Sequence, residues 1–161
     1  MKTMKILSVA VLCLAASMVL AEPAPKLSIT TKAKAVKAGA WVDAVLTVEF
    51  APGLHGYQNP PNPKDVIPIL LRGTNLVEVK DVQYPKGKVK TLSGIKAAVV
   101  EGKLTIPFKF RALKGGPKGL PFEFRVQQCD DSNCFIPQTI TTYLNIKVDG
   151  TAQPTPPAKP K

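Results

Sequence analysis

Apolar and polar residues alternate along several stretches of the chain. Over residues 41–50 one face carries apolar side chains at every second position, while the opposite face carries Asp43, Thr47 and Glu49. A period of two predicts a strand with one face in the core. The pattern returns over residues 103–111, 122–127 and 140–148, and shorter candidate strands cover residues 27–31, 66–71, 76–84 and 97–100.

Segments rich in Gly and Pro separate these runs. They cover residues 51–53, 59–63, 85–87, 101–102 and 114–117. Each predicts a turn, because Gly supplies a positive φ and Pro fixes φ and removes a donor. Seven or eight short strands without a convincing helix predict an all-β fold, an immunoglobulin-like antiparallel β-sandwich. A closed barrel is the main alternative.

The amino terminus has the pattern of a secretory signal peptide. Lys2 and Lys5 precede an apolar run over residues 6–20, and Ala21 ends a small-residue cleavage site. We expect residues 1–21 to be cleaved, which also removes Cys13. The run is shorter than the roughly 20 apolar residues of a spanning helix, which argues against the alternative of a membrane anchor. The mature protein is then expected to be periplasmic or secreted, where a disulfide persists.

Cleavage leaves 161 − 21 = 140 residues, enough for one domain with a real core. We place that domain at residues 22–149. Residues 150–161 consist mainly of Pro, Thr, Ala and Lys without an apolar period, so they predict a disordered tail. No later segment is apolar for long enough to insert into a membrane.

The chain is basic, with 22 basic and 11 acidic residues. Loss of Lys2 and Lys5 leaves 20 basic against 11 acidic residues, a net charge of +9. Such a charge favours nucleic acid, anionic lipid or an acidic protein as partner. The lysines are spread along the chain and no aromatic residues are interleaved with them, so we expect no nucleic-acid binding.

Cys129 and Cys134 are the only cysteines outside the predicted signal peptide. A strand over residues 120–128 and another beginning near Phe135 would bracket a short hairpin or a helical turn, and either permits a disulfide. In an exported protein such a bond is most often structural. Closing so short a loop, however, stabilises by only about 2 kcal/mol, against about 4.7 kcal/mol for a hundred-residue loop. The sequence therefore leaves two interpretations of the cysteine pair, a structural disulfide and a reactive one.

A metal site is a third reading of these residues. His55, the single histidine, could join the two cysteines as a ligand. The four-residue gap is not the usual zinc spacing, and no fourth ligand is evident. We therefore expect no metal.

The motif around the cysteines resembles a known family. Gln128-Cys129, a short polar loop, Cys134, an aromatic, one further residue and Pro137 resemble the active-site hairpin of the amino-terminal periplasmic domain of the DsbD family of thiol:disulfide interchange proteins. Segments 53–57, 81–88 and 100–107 extend the match, which covers most of residues 26–148.

This resemblance implies an immunoglobulin-like domain that relays electrons without a cofactor. In the family, a membrane segment and a thioredoxin-like domain reduce the disulfide, and the domain then reduces disulfide isomerases or other oxidised clients. By resemblance, Cys134 forms mixed disulfides with partners, and Cys129 resolves them. We expect thioredoxin-like or isomerase-like partners, a membrane electron donor and a monomer.

The resemblance also implies residues that line and cover the cysteines. The family's covering loop matches residues 88–94, in which Leu92 would be the shield, the family's pair of carboxylates is missing and Lys90 reverses the charge. Tyr57 matches an aromatic that lines the site, and Phe135 follows the second cysteine. His55 stands two residues before Tyr57 on the same strand face, yet its Pro/Gly-rich setting by itself favours a surface histidine beside a turn.

Two features depart from the family. Its better-known members have one more residue between the cysteines, and this chain shows neither the membrane segment nor the thioredoxin-like domain. We therefore expect a free-standing domain that receives electrons from a separate protein. The alternative is a non-enzymatic immunoglobulin-like binding or assembly module whose disulfide is structural.

Overall fold

The computed structural model describes residues 23–116 and 119–150, and the regular secondary structure in these ranges is entirely β. Twelve strands are found there: β1 (Lys26–Thr30), β2 (Ala35–Lys37), β3 (Val42–Glu49), β4 (His55–Tyr57), β5 (Leu70–Arg72), β6 (Val77–Lys80), β7 (Lys88–Leu92), β8 (Ile95–Glu101), β9 (Lys103–Ala112), β10 (Gly119–Val126), β11 (Gln138–Asn145) and β12 (Lys147–Asp149).

Two sheets form the sandwich. One has the strand order β1-β3-β9-β6 and the other the order β11-β10-β5, with antiparallel neighbours throughout. The alternation in β3 and β9 turns their apolar residues inward. Phe122 of β10 meets Phe108 and Phe110 of β9 edge-to-face, at ring-centroid distances of 5.6 and 5.7 Å. The immunoglobulin-like β-sandwich predicted from the alternation is therefore confirmed.

A third sheet and a short strand pair complete the fold. The third sheet has the order β4-β8-β7 and is antiparallel. The pair joins β2 and β12 in parallel, so the pairing is not wholly antiparallel. Residues 140–148, expected as one strand, divide into β11 and β12 because the chain leaves β10 to pair with β2.

Several strand boundaries differ from the sequence prediction. The strand predicted over residues 76–84 ends at Lys80, because Asp81 takes a left-handed conformation with φ of 52°. β2, β4 and β7 lay outside the predicted strands. They are three to five residues long, too short for alternation to identify them.

The segment expected to be a covering loop is one strand of a hairpin. β7 and β8 pair from Lys88↔Val99 to Leu92↔Ile95. Ser93 and Gly94 join them with φ of 47° and 84°, the two positive values of a type I′ turn. The hairpin gives Leu92 a defined backbone position.

The predicted signal peptide, and nearly all of the predicted tail, fall outside the described residues. Across residues 23–116 and 119–150, no helix has the length and apolar character to cross a membrane.

Candidate functional site

Cys129 and Cys134 form a disulfide whose Cα atoms are 4.0 Å apart. The regular pairing of β10 with β11 ends at Val126↔Gln138, whereas Cys129 lies opposite Cys134. From Val126 to Cys129 the chain advances by three residues, whereas from Cys134 to Gln138 it advances by four. The one extra residue on the second arm is the offset of a β-bulge. β10 ends earlier and β11 begins later than the sequence predicted, and the cysteines occupy an irregular extension of their hairpin.

The loop between the cysteines is held by its first residue. The Asp130 carboxylate accepts hydrogen bonds from the backbone N–H groups of Ser132 and Asn133, at 2.7 and 2.6 Å. These two bonds hold the pKa of Asp130 below its usual value, and the bond from Ser132 has the larger effect. The Asp130 N–H also donates to the Asn133 carbonyl at 2.9 Å. The segment is thus a tight hairpin turn, not the helical turn that the sequence left open.

The two cysteines differ sharply in exposure. Cys129 is 1% exposed, whereas Cys134 is exposed. Cys129 belongs to a small apolar cluster with Tyr57, Ala97 and Val99, distinct from the main core of the sandwich. An incoming thiolate can therefore approach the disulfide from the Cys134 side, whereas the Cys129 side is covered.

Tyr57 contacts both ends of the bond. Its hydroxyl oxygen lies 3.7 Å from the Sγ atom of Cys134 and 3.7 Å from that of Cys129. Sulfur atoms of a disulfide carry no hydrogen, so the hydroxyl is the donor, and its single hydrogen can point to one sulfur or to the other. The same hydroxyl is placed to donate to a thiolate when the bond is reduced.

His55 is buried beside the disulfide, at 1% exposure, so the expectation of a surface histidine is wrong. Its backbone exchanges two hydrogen bonds with Cys129, of 3.0 and 2.9 Å, and on its other side it pairs with Glu101 of β8. Strand neighbours on both sides bury the residue despite its turn-rich sequence. Its ring meets the Tyr57 ring edge-to-face at 6.0 Å.

The environment of His55 favours the neutral imidazole. Burial, and secondarily the charge of Lys90, lower its pKa from the usual value, against the opposing charges of Asp131, Glu101 and Asp130. Its Nε2 atom is buried and has no hydrogen-bond partner among the described residues. The sequence offered no signal for this burial, since it arises from pairing with residues far along the chain.

A cleft of about 210 Å³ opens beside Cys134. Its lining includes Leu92 and Ile95 of the β7–β8 hairpin, residues 130–134 of the cysteine loop, and Tyr57. Leu92 also packs against the cluster that contains Cys129. Phe135 is half-buried in the arm after Cys134 and is not among the described residues that line the cleft.

Acidic residues near the site come from segments of the chain other than the covering segment, residues 88–94. Asp65, Asp130 and Asp131 line the cleft, and Glu101 pairs with Lys90 in an ion pair that lowers the pKa of Glu101. Residues 88–94 do lack carboxylates, but the charge of Lys90 is compensated by Glu101. The sequence did not suggest Asp65 or Glu101, because only the fold brings them near the cysteines.

Two further observations delimit the site. No group of three or more His, Cys, Asp or Glu residues within the described ranges is arranged to hold a metal ion. A larger groove of about 620 Å³ lies along β3 and β9, lined in part by Asp43, Lys109 and Asp81. Neither a cysteine nor a histidine lines this groove, so of the two clefts it is the smaller one that borders the disulfide.

The lowered pKa of His55 predicts a pH dependence of stability. Between the folded and unfolded pKa values the unfolded state binds more protons, so stability rises with pH there. The stability that neutral His55 contributes is fully present well above its ordinary pKa of 6.5. It is lost as pH falls through 6.5 towards the lower pKa of the folded state. We expect the free energy of unfolding in urea to decrease from pH 7.5 to 5, and less steeply in His55→Phe. Equal slopes in the two proteins would contradict a buried, neutral His55.

The fold and the site together define a class: an immunoglobulin-like β-sandwich with a half-exposed disulfide beneath a covering hairpin. The sequence model of the family described as "Thiol:disulfide interchange protein DsbD, N-terminal" matches residues 24–146. The chain belongs to this family and has its own cysteine pair, Cys129 and Cys134.

Solved structures show a similar fold. The N-terminal periplasmic domain of ScsB from Proteus mirabilis is 15% identical, with a TM-score of 0.57 over 76% of this chain and 46% of that one. This chain thus spans just under half of that ScsB chain. The Neisseria meningitidis DsbD N-terminal domain in its reduced form is 13% identical, with a TM-score of 0.45 over 76% and 84% of the two chains. A search of the curated proteins finds no match.

Proposed function

We propose that this domain relays electrons in the periplasm by thiol–disulfide exchange at Cys134 and Cys129. A separate membrane electron donor reduces the disulfide, and the resulting dithiol reduces thioredoxin-like or isomerase-like exported proteins. The domain acts as a monomer and needs no cofactor. The observation that carries the proposal is the unequal exposure of two bonded cysteines, one exposed beside a cleft and the other buried.

The exchange proceeds in two displacements. The Cys134 thiolate attacks a client disulfide, forms a mixed disulfide and releases one client thiolate. The Cys129 thiolate then attacks the Cys134 sulfur, which re-forms the bond within the domain and releases the second client thiolate. Two electrons pass to the client, and the donor returns them by the reverse sequence. Exposure suits Cys134 for the first attack, and burial keeps Cys129 from competing for clients.

The placement of the bond argues against a purely structural role. The loop it closes is already held by the Asp130 turn and by a 2.8 Å hydrogen bond from the Phe135 N–H to the Gln128 carbonyl. Cys129 lies in the small cluster, not in the main core. The bond therefore adds only the roughly 2 kcal/mol of a short loop.

Trapping tests the proposal. In Cys129→Ser, the mixed disulfide cannot be resolved, so we expect exported thioredoxin-like proteins to accumulate as covalent adducts of Cys134, detected on non-reducing gels and by mass spectrometry. The matched control Cys134→Ser should form none. The absence of adducts at every redox poise, together with a reduction potential below roughly −300 mV, would instead favour the binding module with a structural disulfide.

A further inference from the structure

The buried position of Cys129 raises the question of where its proton goes. The proposed relay, on which this inference rests, needs Cys129 as a thiolate, because the thiolate is the nucleophile. Burial at 1% exposure disfavours a charged sulfur and keeps water away from it. The resolving step therefore calls for a proton acceptor within the protein, next to Cys129.

A row of three side chains across adjacent strands supplies one. His55 lies opposite Cys129 on one side and opposite Glu101 on the other. Residues directly opposite each other in an antiparallel ladder project from the same face, with Cβ atoms about 4.5–5.5 Å apart. Cys129, His55 and Glu101 thus share one face. Tyr57, two residues after His55, shares it too and touches both sulfurs.

The imidazole is in the right state to accept a proton. Its Nε2 atom is buried without a hydrogen-bond partner among the described residues, and a buried polar atom left unpaired is costly. In the reduced protein this atom can accept a hydrogen bond from the Cys129 thiol, which would satisfy it. The charges of three carboxylates act to raise the pKa of the ring and favour the imidazolium once it forms: Asp131 and Asp130 of the cysteine loop, and Glu101 of β8.

Other groups face the ring as well. Lys90 of β7 opposes the imidazolium, but its ion pair with Glu101 offsets part of its charge. Tyr57 approaches edge-on and carries no charge in its phenol form. Burial keeps the pKa of His55 below its usual value, so the ring is neutral near pH 7 and able to act as a base.

We infer that His55 is the proton acceptor of the resolving step. Neutral His55 takes the proton of the Cys129 thiol, and the Cys129 thiolate attacks the Cys134 sulfur of the mixed disulfide. A Cys129–Cys134 bond forms, the Cys134–client bond breaks, and the client leaves as a thiolate. The imidazolium returns the proton to that thiolate or to water. When the donor reduces the domain, the same proton moves in the opposite direction, onto the departing Cys129.

Stopped-flow reaction of the reduced protein with dithiobis(nitrobenzoate) tests this without a client. The first nitrothiolate released reports attack by Cys134, and the second reports resolution by Cys129. At pH 6.5 we expect the ratio of second-phase to first-phase rate to fall about tenfold in His55→Phe, which keeps an aromatic ring but no base. The deficit should shrink as pH rises, because hydroxide then removes the proton.

Controls separate a proton acceptor from a structural residue. Thr142→Val replaces another buried polar side chain, on β11, and should leave the ratio unchanged. Millimolar imidazole should restore the second phase in His55→Ala, which loss of packing alone would not allow. An unchanged ratio in a folded His55→Phe protein overturns the inference.

A second measurement needs no variant, for the case that the substituted proteins do not fold. The chain has a single histidine, so its imidazole resonances in the nuclear magnetic resonance spectrum are unambiguous. We expect the pKa of His55 to be lower in the reduced protein than in the oxidised one, because only the reduced Cys129 carries a thiol hydrogen that can bond to the neutral imidazole. Identical titrations would overturn the inference. Failure to trap any client would overturn the proposed relay while leaving both measurements interpretable.

Discussion

In the reduced protein, iodoacetamide is expected to modify Cys134 about a thousand times faster than Cys129. Alkylation requires a thiolate that the reagent can reach. Cys134 is exposed beside the cleft, whereas Cys129 is 1% exposed beneath Tyr57, Val99 and Leu92. Cys129 can react only after a local opening, and a thousandfold ratio corresponds to an opening free energy of about 4 kcal/mol.

The comparison uses the two single-cysteine proteins. Cys129→Ser retains only Cys134 of the pair, and Cys134→Ser retains only Cys129, so mass spectrometry gives each rate separately. Both proteins should react at similar rates in urea, which removes the difference in access. Equal rates in the folded proteins would contradict the assignment of Cys134 as the attacking sulfur and Cys129 as the protected one. Leu92→Ala should raise the Cys129 rate, since Leu92 covers the cluster.

Replacing Phe122 with alanine is expected to lower the free energy of unfolding by about 3–5 kcal/mol. Phe122 is fully buried and joins the two sheets through edge-to-face contacts with Phe108 and Phe110. Truncation removes apolar surface and leaves a cavity that a close-packed sandwich fills only in part. Urea unfolding of the oxidised protein measures the loss.

Two further variants bound the interpretation. Phe122→Leu retains most of the volume and should lose about 1.5 kcal/mol, so it stays informative if the alanine variant does not fold. Tyr143→Ala on β11 removes an aromatic ring that is 60% exposed and should change stability by under about 1 kcal/mol. A loss below about 1 kcal/mol in Phe122→Ala would contradict the sandwich core described above.

The main core and the cysteine cluster are physically distinct, and this separation bears on function. The main core joins the sheets of the sandwich, while Cys129, Tyr57, Ala97 and Val99 form their own cluster. In the proposed relay, cleavage and re-formation of the disulfide would take place in the smaller cluster, whose buried residues are not part of the main core.

Much of the fold could be predicted from the sequence, because the alternating pattern of a half-buried strand lies within the strand itself. The alternation over residues 41–50 and 103–111 predicted β3 and β9, and each strand's buried face follows directly from the period of two. The cysteine motif likewise pointed to the disulfide and to the family. The short strand β4 escaped prediction because three residues carry no period, and its place is set by partners on both sides.

The site illustrates the same division. The sequence by itself determined the all-β class and the cysteine pair, since these depend on residue type and local spacing, and the family resemblance supplied Tyr57 and Leu92 as candidates for the lining of the pair. Only the tertiary structure decided that Cys129 is buried while Cys134 is exposed, that His55 lies between Cys129 and Glu101, and that carboxylates border the cleft. The burial of a side chain and the charges around it depend on residues that are distant in sequence. Pairing across the sheet brings those residues together.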